Sequence, residues 1–570
     1  MRTFLKSWIP QCLWILRSPS RTFHGNNRLL TFQITSHYES INQGEKEVPE
    51  YFNFASDVLD KWTQLEKVGR KPANPAFWWV NDKGEEVKWS FEEFGSLSKK
   101  TANVLSEACG LRRGDRIVAI LPRVPEWWLL NVACMRAGIV LFPGTSQLTA
   151  KDILYRLQAS KAKCIVTNDT LAPAVESVLS GSEFLKSKLI VGQGSRDGWL
   201  NFKELLAVAS ADHICIKTRS HDPMLVYFTS GTTGFPKMVL HSYSSYGIGF
   251  ATTGRRWLDL TPSDVMWNTS DTGWAKSAYG SVFSPWICGA CVFIHNLPQF
   301  QPEVIGQVSN PRIPSNPKEL RELFHLLFLS RYRFPSLKHC VTGGEALNPE
   351  VFSQWRTQTG VDIHEGYGQT ETVRLCSCEL IKAALLCLSF LQIVDEHGAV
   401  VPQGEEGTIA VRVKPTRPFC LFSEYLDNPE KTAATLCGDF YLTGDRGFMD
   451  KEGYIWFVGR ADDVINSAGY RIGPFEVESA LMEHPAVVEA AVVSSPDPVR
   501  GEVVKAFVVL APLYESRDQK KLALELQQHV KKVTAPYKYP RKVEFVKELP
   551  KTVTGKIQRN VLRGKEWAKV

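Results

Sequence analysis

Short apolar runs alternate along the chain with stretches in which apolar residues recur at helical spacing. The runs at Arg116–Ile120, Gly138–Pro143, Lys163–Thr167 and Met224–Phe228 predict buried strands, and Trp127–Arg136 predicts a helix. Strands that alternate with helices are typical of parallel sheets with helices on both faces. The pattern runs to about residue 458, so we predict an α/β fold with a large N-terminal domain of parallel or mixed sheets.

The pattern changes after residue 460. Residues 461–471 are polar and contain glycine, which predicts a linker. We therefore predict a large domain over residues 45–460 and a small α+β domain over residues 461–570. The predicted elements of the small domain are a helix over Pro474–His484, strands over Val487–Val493 and Val503–Leu510, a helix over Asp518–Val533 and a strand over Val543–Val546.

The first 38 residues contain no Asp or Glu, and they carry five Lys and Arg side chains among Ser, Thr and large apolar residues. Such a leader is typical of a mitochondrial transit peptide. The alternative is a secretory signal built on Trp8–Leu16, but Pro10 and Gln11 interrupt that run and no small-residue cleavage site follows closely. We predict a transit peptide over residues 1–38 and a location in the mitochondrial matrix.

Composition excludes several classes of protein. The formal net charge is +7, of which the leader supplies five charges, so the remainder is nearly neutral; this argues against a nucleic-acid partner. No apolar stretch is long enough for a membrane span. The 13 cysteines have no regular spacing, which fits a reducing compartment. Cys376 and Cys378 lie close together, but no other zinc ligands are near them in the sequence.

A loop suited to phosphate binding follows the strand at Met224–Phe228. It reads TSGTTGFPK over Thr229–Lys237. Backbone N–H groups of a glycine-rich turn can converge on an anion, and the hydroxyls and the lysine add donors and charge. The spacing is not that of a Walker A loop. The alternative is a hydroxyl-rich surface turn, and the preceding strand and closing lysine favour phosphate binding.

This loop resembles the signature loop of the adenylate-forming superfamily, and five further motifs resemble that family in the same order. Gly343–Glu345 is similar to the turn beside the adenine. Tyr367–Thr372 is similar to the motif whose Thr faces the α-phosphate and whose Glu binds magnesium. Tyr441–Asp445 is similar to the motif whose Asp takes the ribose hydroxyls. Gly459–Asp463 contains the ribose-contacting Arg and the hinge acid, and Pro550–Lys556 ends in the adenylation lysine.

Three further segments select a branch. Ser270–Trp274, Tyr470–Ser479 and Thr534–Val546 resemble mitochondrial medium-chain acyl-CoA synthetases. The resemblance covers roughly residues 45–566. It implies ATP-dependent ligation of a medium-chain fatty acid, or a related carboxylic acid, to coenzyme A. The reaction passes through an acyl-AMP intermediate and releases AMP and pyrophosphate, and the small domain is mobile and rotates about Asp462 between the two half-reactions.

The resemblance implies roles for individual residues. The catalytic residues are Lys556, Thr370 and Glu371. The ATP-binding residues are Thr229, Ser230, Gly231, Thr232, Thr233, Gly234, Phe235, Pro236, Lys237, Glu365, Gly366, Tyr367, Gly368, Gln369, Thr370, Asp445, Arg460 and Lys556. The CoA-binding residues are Gln147, Ala468, Gly469, Tyr470, Arg500, Lys531, Tyr539, Pro540 and Arg541, and the acid substrate meets Thr370, Arg471 and Trp274.

The chemistry accounts for these residue types. A carboxylate and ATP are both anions, so Mg²⁺ held by Glu371 and the ammonium of Lys237 would offset their repulsion. Lys556 would bridge the attacking carboxylate and the α-phosphate from the other domain. Two residues have open alternatives. Lys531 ends a lysine-rich helix, so plain solvation is a strong alternative for it, and Trp274 is either a wall of the acyl pocket or a packed core side chain.

Two segments depart from the family. Residues 301–323 carry Lys318 and Glu319 where the family has small or apolar residues, and residues 373–392 contain no glycine where the family has a Gly/Pro-rich turn. Three hypotheses follow: a working medium-chain acyl-CoA synthetase, a non-catalytic or weakly active relative, and another adenylate chemistry such as that of a luciferase or a carrier-loading domain. The arginines of the small domain argue against the third, since coenzyme A carries phosphates.

Overall fold

The structure is a computed structural model that describes residues 13–17, 27–229, 236–296, 336–344, 349–373, 376–377, 390–467, 470–498, 500–552 and 556–568. The strands are β1 Leu13–Arg17, β2 Phe77–Asn81, β3 Glu86–Trp89, β4 Arg116–Ile120, β5 Val140–Gly144, β6 Cys164–Asn168, β7 Ser187–Val191, β8 Leu200–Asn201, β9 Pro223–Thr229, β10 Lys237–Ser242, β11 Asp264–Asn268, β12 Cys291–Asn296, β13 Leu337–Gly343, β14 Ile363–Tyr367, β15 Cys376–Ser377, β16 Leu391–Val394, β17 Glu406–Arg412, β18 Glu424–Tyr425, β19 Leu436–Cys437, β20 Phe440–Met449, β21 Ile455–Arg460, β22 Ile465–Ser467, β23 Tyr470–Ile472, β24 Val487–Asp497, β25 Gly501–Leu510 and β26 Lys542–Phe545.

The α-helices of the described residues are α1 Asn27–Asn42, α2 Asp60–Lys67, α3 Phe91–Asn103, α4 Pro125–Ala137, α5 Ala150–Ser160, α6 Ala172–Glu176, α7 Phe202–Val208, α8 Tyr243–Gly247, α9 Phe250–Thr252, α10 Ala275–Ala278, α11 Ser284–Ile287, α12 Pro349–Thr359, α13 Pro429–Ala433, α14 Pro474–Met482, α15 Gln519–Val533 and α16 Arg559–Trp567. Short 3-10 or π turns occupy Ala55–Leu59, Val104–Ala108, Leu179–Gly181, Thr253–Trp257, Tyr279–Phe283, Thr370–Thr372, Pro512–Tyr514 and Pro536–Lys538. No helix among these residues has the length and apolar character needed to cross a bilayer.

Two eight-stranded sheets form most of the large domain. The first has the order β15-β14-β13-β1-β11-β12-β2-β3, and the second has the order β18-β10-β9-β5-β4-β6-β7-β8. Strands β4 to β9 of the second sheet pair in parallel, while β9, β10 and β18 pair antiparallel. The predicted strands and the predicted helix of this region are present, and the prediction of parallel or mixed sheets is confirmed.

Local sequence explains where these helices begin and end. Helix α4 begins with Pro125 in its first turn, where the missing N–H costs no helical hydrogen bond. The same helix ends at Gly138, whose φ of 66° suits a residue without a Cβ. Helices α3 and α5 begin with capping boxes at Ser90 and Thr149, in which side chain and backbone bond reciprocally.

A third sheet differs from the prediction that the strand–helix alternation continues to residue 458. It has the order β16-β17-β20-β19, with β21 beside β20, and all its pairs are antiparallel. The connections from β16 to β17 and from β20 to β21 contain no helix, as antiparallel pairing allows. The connection from β17 to β19 is longer and contains β18 of the second sheet and helix α13. This sheet carries the Tyr441–Asp445 motif on β20 and Arg460 at the end of β21. Asp445 and Arg460 are directly opposite each other in the register of the two strands.

The small domain is a separate α+β unit. Strands β23, β22, β25 and β24 form a sheet, with β26 paired to β25, and helices α14 and α15 bury their apolar sides against it. The predicted elements after Pro474 are all present. The prediction that residues 461–471 are a plain linker is wrong in part, because β22 and β23 pair there as a hairpin. The prediction of a smaller α+β domain at the C-terminal end of the chain is confirmed.

Candidate active site

The phosphate-loop segment begins and ends at one point of the second sheet. Thr229 and Lys237 are cross-strand partners on β9 and β10. The Pro236 carbonyl accepts a hydrogen bond from Tyr155 Oη at 3.0 Å. The Thr229 hydroxyl is buried without a hydrogen-bond partner in the described residues. The predicted ligands Ser230, Gly231, Thr232, Thr233, Gly234 and Phe235 lie outside those residues.

A second cluster of polar side chains surrounds Asp445, which is only 3% exposed. Its Oδ2 accepts hydrogen bonds from Tyr367 Oη and Gln369 Nε2, both at 2.6 Å. Its Oδ1 lies 3.4 Å from Arg460 Nε and receives no hydrogen bond within the described residues. Burial raises the pKa of Asp445, and Arg460 and the two hydrogen bonds oppose that rise. A buried carboxylate oxygen with an unmet acceptor position suits a hydroxyl donor from a ligand.

Glu371 and Lys237 are joined through one tyrosine. The Tyr425 hydroxyl donates to Glu371 Oε1 at 2.8 Å and accepts from Lys237 Nζ at 3.3 Å. The same ammonium lies over the Tyr425 ring at 4.6 Å. Burial lowers the pKa of Lys237, and the Glu371 carboxylate opposes that change. Among the described residues, no three His, Cys, Asp or Glu side chains are grouped to hold a metal, so a magnesium ion here would need phosphate oxygens beside Glu371. Magnesium is commonly bound in that way.

A neutral histidine holds the backbone beside Glu371. His241 lies on β10 and is fully buried, and burial lowers its pKa to about 3. Its Nε2 lies 2.7 Å from the Thr370 carbonyl oxygen, so Nε2–H is the donor because a carbonyl only accepts. The Phe422 N–H donates to the Glu371 carbonyl at 2.8 Å. Both flanking contacts fix the turn that carries Thr370 and Glu371.

The residue after this turn has an unusual backbone. Val373 has φ 40° and ψ 39°, the left-handed region, and is 4% exposed. A β-branched side chain is strongly disfavoured there, whereas glycine adopts these angles freely. The strained position begins the segment 373–392 that lacks glycine, and residues 374–375 and 378–389 lie outside the described part of the chain.

Strands β13 and β14 meet closely at the predicted adenine side. Gly343 pairs with Gly366 and Thr342 pairs with Glu365. A Cβ built on Gly343 would lie 2.6 Å from the Gly366 carbonyl oxygen, so the close approach requires glycine there. Gly344 follows with φ 101°. Gly368 follows the last residue of β14, Tyr367. Glu345 lies outside the described residues.

Three of the predicted CoA-binding side chains of the small domain, Lys531, Tyr539 and Arg541, contact one another. Lys531 Nζ lies 4.1 Å from the Tyr539 ring centre, and Arg541 Nη1 donates to Tyr539 Oη at 2.9 Å. Pro540, which stands between Tyr539 and Arg541 in the sequence, is buried. Tyr470 stacks on Tyr537 with ring centres 4.4 Å apart. Lys531 therefore contacts an aromatic ring and is also partly exposed to solvent, so both of its alternatives stay open.

The remaining predicted residues are less constrained. Arg500 is exposed beside Gly501, the partner of Ser467, which places it near Tyr470. Gln147 is exposed on the turn before α5. Trp274 is half-buried at the start of α10, which leaves both of its alternatives open. Arg471 pairs with Asn466 through β23, and Ala468 and Gly469 lie outside the described residues.

Lys556 lies in the small domain, where its backbone is hydrogen-bonded to Thr552. The Thr552 N–H donates to the Lys556 carbonyl at 2.8 Å, and the Lys556 N–H donates to Thr552 Oγ1 at 3.2 Å. Within the described residues the Lys556 ammonium has no ion pair. A cation held on a fixed backbone and not neutralised by an acidic neighbour can meet an anionic substrate.

The whole arrangement matches one enzyme family. Residues 65–426 match the AMP-binding enzyme family, and residues 476–556 match the AMP-binding enzyme C-terminal domain. The chain belongs to the AMP-binding enzymes. It is 60% identical over 577 residues to the human acyl-coenzyme A synthetase ACSM4, mitochondrial, covering all of both chains. It is 62% identical over 560 residues to human ACSM3, covering 96% of this chain and 95% of that protein.

Solved structures of similar proteins share the fold of this AMP-binding enzyme. The anthranilate CoA ligase AuaEII in complex with anthranoyl-AMP is 26% identical, with a TM-score of 0.78 over 92% of this chain and 99% of that one. ATP-bound MatB from Rhodopseudomonas palustris is 25% identical, with a TM-score of 0.75 over 89% of this chain and 99% of that one. The predicted superfamily and fold class are confirmed.

Sequence reasoning missed two residues of this AMP-binding enzyme site, Tyr425 and His241. Tyr425 contacts Lys237 across 188 positions of sequence and Glu371 across 54. The sequence around Tyr425 shows only that a helix begins nearby, at Pro429 with Asn428 as its side-chain cap. That signal does not point to a contact with Lys237 or Glu371. His241 stands at the end of an apolar strand, where a lone histidine more often satisfies the core than meets a ligand.

Proposed function

We propose that this chain ligates a medium-chain fatty acid to coenzyme A in the mitochondrial matrix, through an acyl-AMP intermediate and with Mg²⁺ bound beside Glu371. The observation that carries the proposal is the pairing of two sites: the Asp445 carboxylate with an unmet acceptor position, and the Glu371–Tyr425–Lys237 chain. The first suits a ribose, and the second suits a magnesium-bound phosphate.

The broader parts of this function are confirmed. The relatives are named acyl-coenzyme A synthetases, so the chain is an acid–thiol ligase that uses ATP and coenzyme A. The names of the relatives also place them in mitochondria. The medium chain length, the matrix, the metal and the roles of individual residues belong to the proposal.

The proposal gives each of the following candidate site residues a role in the reaction. Asp445 and Arg460 orient the ribose, because a carboxylate accepts from two neighbouring hydroxyls. Lys237 faces the departing pyrophosphate, and its partly buried ammonium stabilises charge more strongly than an exposed one would. Thr370, fixed by His241, faces the α-phosphate and the acid. The magnesium ion, when bound, offsets phosphate charge at Glu371. Lys531, Tyr539 and Arg541 meet the phosphates of coenzyme A.

An ATP–pyrophosphate exchange assay tests the first half-reaction alone. Purified protein is incubated with Mg²⁺, ATP, labelled pyrophosphate and single acids from butyrate to decanoate. We expect acid-dependent exchange with a maximum inside that series, and thioester formation when coenzyme A is added. Exchange with none of these acids would contradict the proposal.

Tyr425→Phe tests whether the hydroxyl positions the metal site. The ring remains, so its packing and the contact with the Lys237 ammonium are kept, but the hydrogen bonds to Glu371 and Lys237 are lost. We expect kcat for adenylate formation to fall about tenfold to a hundredfold and the half-saturating Mg²⁺ concentration to rise, since a carboxylate that loses its orientation binds the ion less well. Tyr454→Phe, at an exposed tyrosine, is the matched control. Unchanged magnesium dependence in Tyr425→Phe would exclude this role.

A reporter fusion tests the leader. Residues 1–38 joined to a fluorescent protein should carry it into mitochondria, because the segment is basic and free of acidic residues. Replacing Arg2, Arg17, Arg21 and Arg28 with glutamine should abolish import. Matrix location is read by protease protection after the outer membrane is opened. A secreted or diffuse reporter would show that the segment is not a transit peptide.

A further inference from the structure

A cavity of about 180 Å³ lies at the edge of the second sheet where its parallel strands begin. Arg116 is the first residue of β4, Val140 is the first of β5 and Pro223 is the first of β9, and all three line the cavity. The phosphate-loop segment follows the other end of β9, at Thr229. The seven residues of this strand span about 20 Å, so the cavity is separate from the phosphate-loop end of the sheet.

Much of the cavity lining is apolar. It includes the side chains of Val140, Leu240 and Leu426, and Tyr243 lies beside them. The Tyr243 hydroxyl is already bonded, since it donates to the Met135 carbonyl at 3.0 Å. An apolar cavity of about 150 Å³ is large enough to hold benzene. The volume here therefore suits an aromatic ring or a chain of about six carbons.

Two arginines line the same cavity, and each has unused hydrogen-bond donors. Arg113 Nη2 donates to Asp222 Oδ2 at 2.7 Å, while its Nε and Nη1 have no hydrogen-bond partner among the described residues. Arg116 Nη1 donates to the Ser160 carbonyl at 3.0 Å and lies 3.5 Å from Asp427 Oδ2. Its Nε and Nη2 likewise have no partner in the described part of the chain. A guanidinium with free N–H groups pairs readily with a carboxylate.

The charged side chains that line the cavity leave an excess of positive charge. They are the two arginines and one carboxylate, that of Asp222. Asp427 is not among the lining residues, and its carboxylate is shared with Lys161 Nζ at 3.4 Å. The Arg116 side chain is only 26% exposed, and a partly buried charge attracts an anion more strongly than an exposed one does. An apolar lining with excess positive charge suits an anion that has an apolar body.

We propose that this cavity is a second ligand site, which binds a small carboxylic acid with about six carbons in its apolar part. The carboxylate would pair with Arg113 and Arg116, and the ring or chain would lie against Val140, Leu240 and Leu426. The site is additional to the one at which the acid is proposed to react, and binding there does not depend on the proposed reaction.

Strand β18 connects this cavity to the candidate active site. Leu426 directly follows β18, and its N–H donates to the Met238 carbonyl at 2.8 Å. Neighbouring residues of an extended strand point to opposite faces. Leu426 accordingly lines the cavity, while the Tyr425 hydroxyl contacts Glu371 and Lys237. An occupant that packs against Leu426 would therefore restrain β18 and, with it, the position of Tyr425.

Equilibrium dialysis of the full-length protein with labelled benzoate, without ATP or coenzyme A, tests the site. We expect a benzoate site whose affinity falls about tenfold in Arg113→Gln and in Arg116→Gln, because each change removes a charged partner of the carboxylate. Arg112→Gln is the matched control, since Arg112 bonds to the Ser106 carbonyl at 2.8 Å and does not line the cavity. Unfolding midpoints check that each variant is folded. Equal benzoate affinity in the natural chain and every variant would overturn the proposal.

Two further ligands and hydrogen exchange locate the bound acid. Acetate keeps the carboxylate without the ring, and benzyl alcohol keeps the ring without the charge, so benzoate should bind at least about tenfold more tightly than either. Saturating benzoate should also slow exchange of the Leu426 amide about threefold or more in the natural chain and not in Arg116→Gln at the same concentration. Acetate binding as tight as that of benzoate would overturn the proposal, because it would show ion pairing without use of the cavity. So would slowed exchange confined to the turn that carries Thr370 and Glu371, which would place benzoate in the candidate active site.

Discussion

Replacing Lys556 with alanine is expected to lower the rate of acyl-adenylate formation about a thousandfold. In this AMP-binding enzyme the Lys556 ammonium is the cation that would bridge the attacking carboxylate and the α-phosphate as charge shifts between them. The side chain has no acidic partner among the described residues, so its charge is available to the substrate. The hydrogen bonds between Thr552 and the Lys556 backbone do not involve the ammonium, and the variant should remain folded.

The two half-reactions separate catalysis from a general defect. Thioester formation from supplied acyl adenylate should keep most of its rate in Lys556→Ala, because in the proposed domain rotation the small domain would present a different face to the site for that step. Lys547→Ala is the matched control, at an exposed lysine of the same domain, and should leave both steps unchanged. Equal losses in the two half-reactions would contradict domain rotation in this chain.

Rebuilding the segment after Thr372 is expected to raise the rate of adenylate formation about tenfold or more. In the proposed mechanism Glu371 points at a phosphate-bound ion, and displacement of a catalytic group by about 1 Å can cost a hundredfold in rate. Val373 holds left-handed backbone angles at the point where the chain leaves this turn. A β-branched residue in that region carries strain of roughly 1–3 kcal/mol, and a glycine-rich turn between Thr372 and Ile393 would remove it.

The control for this experiment is an equal-length turn with alanine in place of each inserted glycine. If the effect arises from backbone freedom, the glycine turn should raise the rate and the alanine turn should not. Initial rates of pyrophosphate exchange, with the unfolding midpoint measured beside them, report activity and folding separately. Equal rates for the natural chain and the glycine turn would show that the departure at residues 373–392 is tolerated.

Sequence patterns predicted much of the fold because they report local burial. The strands β4, β5, β6 and β9 and the helix α4 follow directly from apolar runs and from proline and glycine at helix ends. The antiparallel third sheet was not predicted, because pairing direction depends on which distant strand lies alongside. The hairpin of β22 and β23 was missed because each strand is only three residues long, shorter than the roughly four to eight residues over which alternation predicts a strand.

The candidate site was predictable only through contiguous motifs. Asp445, Arg460, Glu371 and Lys237 each lie in a short motif with a recognisable resemblance. Tyr425 and His241 have no such motif, and their roles arise from contacts between elements that are remote in sequence. The strain at Val373 is likewise invisible in the sequence, where only the absence of glycine was apparent.

The contacts of helix α1 also bear on the order of folding during synthesis. Thr35 bonds to a carbonyl 252 residues later in the chain, and Asn42 to one 206 residues later. At roughly 5–20 residues per second, the ribosome needs about 13–50 s to make the partner of Thr35 after Thr35 itself. Contacts of such long range also form slowly. Helix α1 thus lacks these two contacts until residues 248 and 287 have been made, and for that time the leader before it would be open to the receptor that the proposed transit peptide requires.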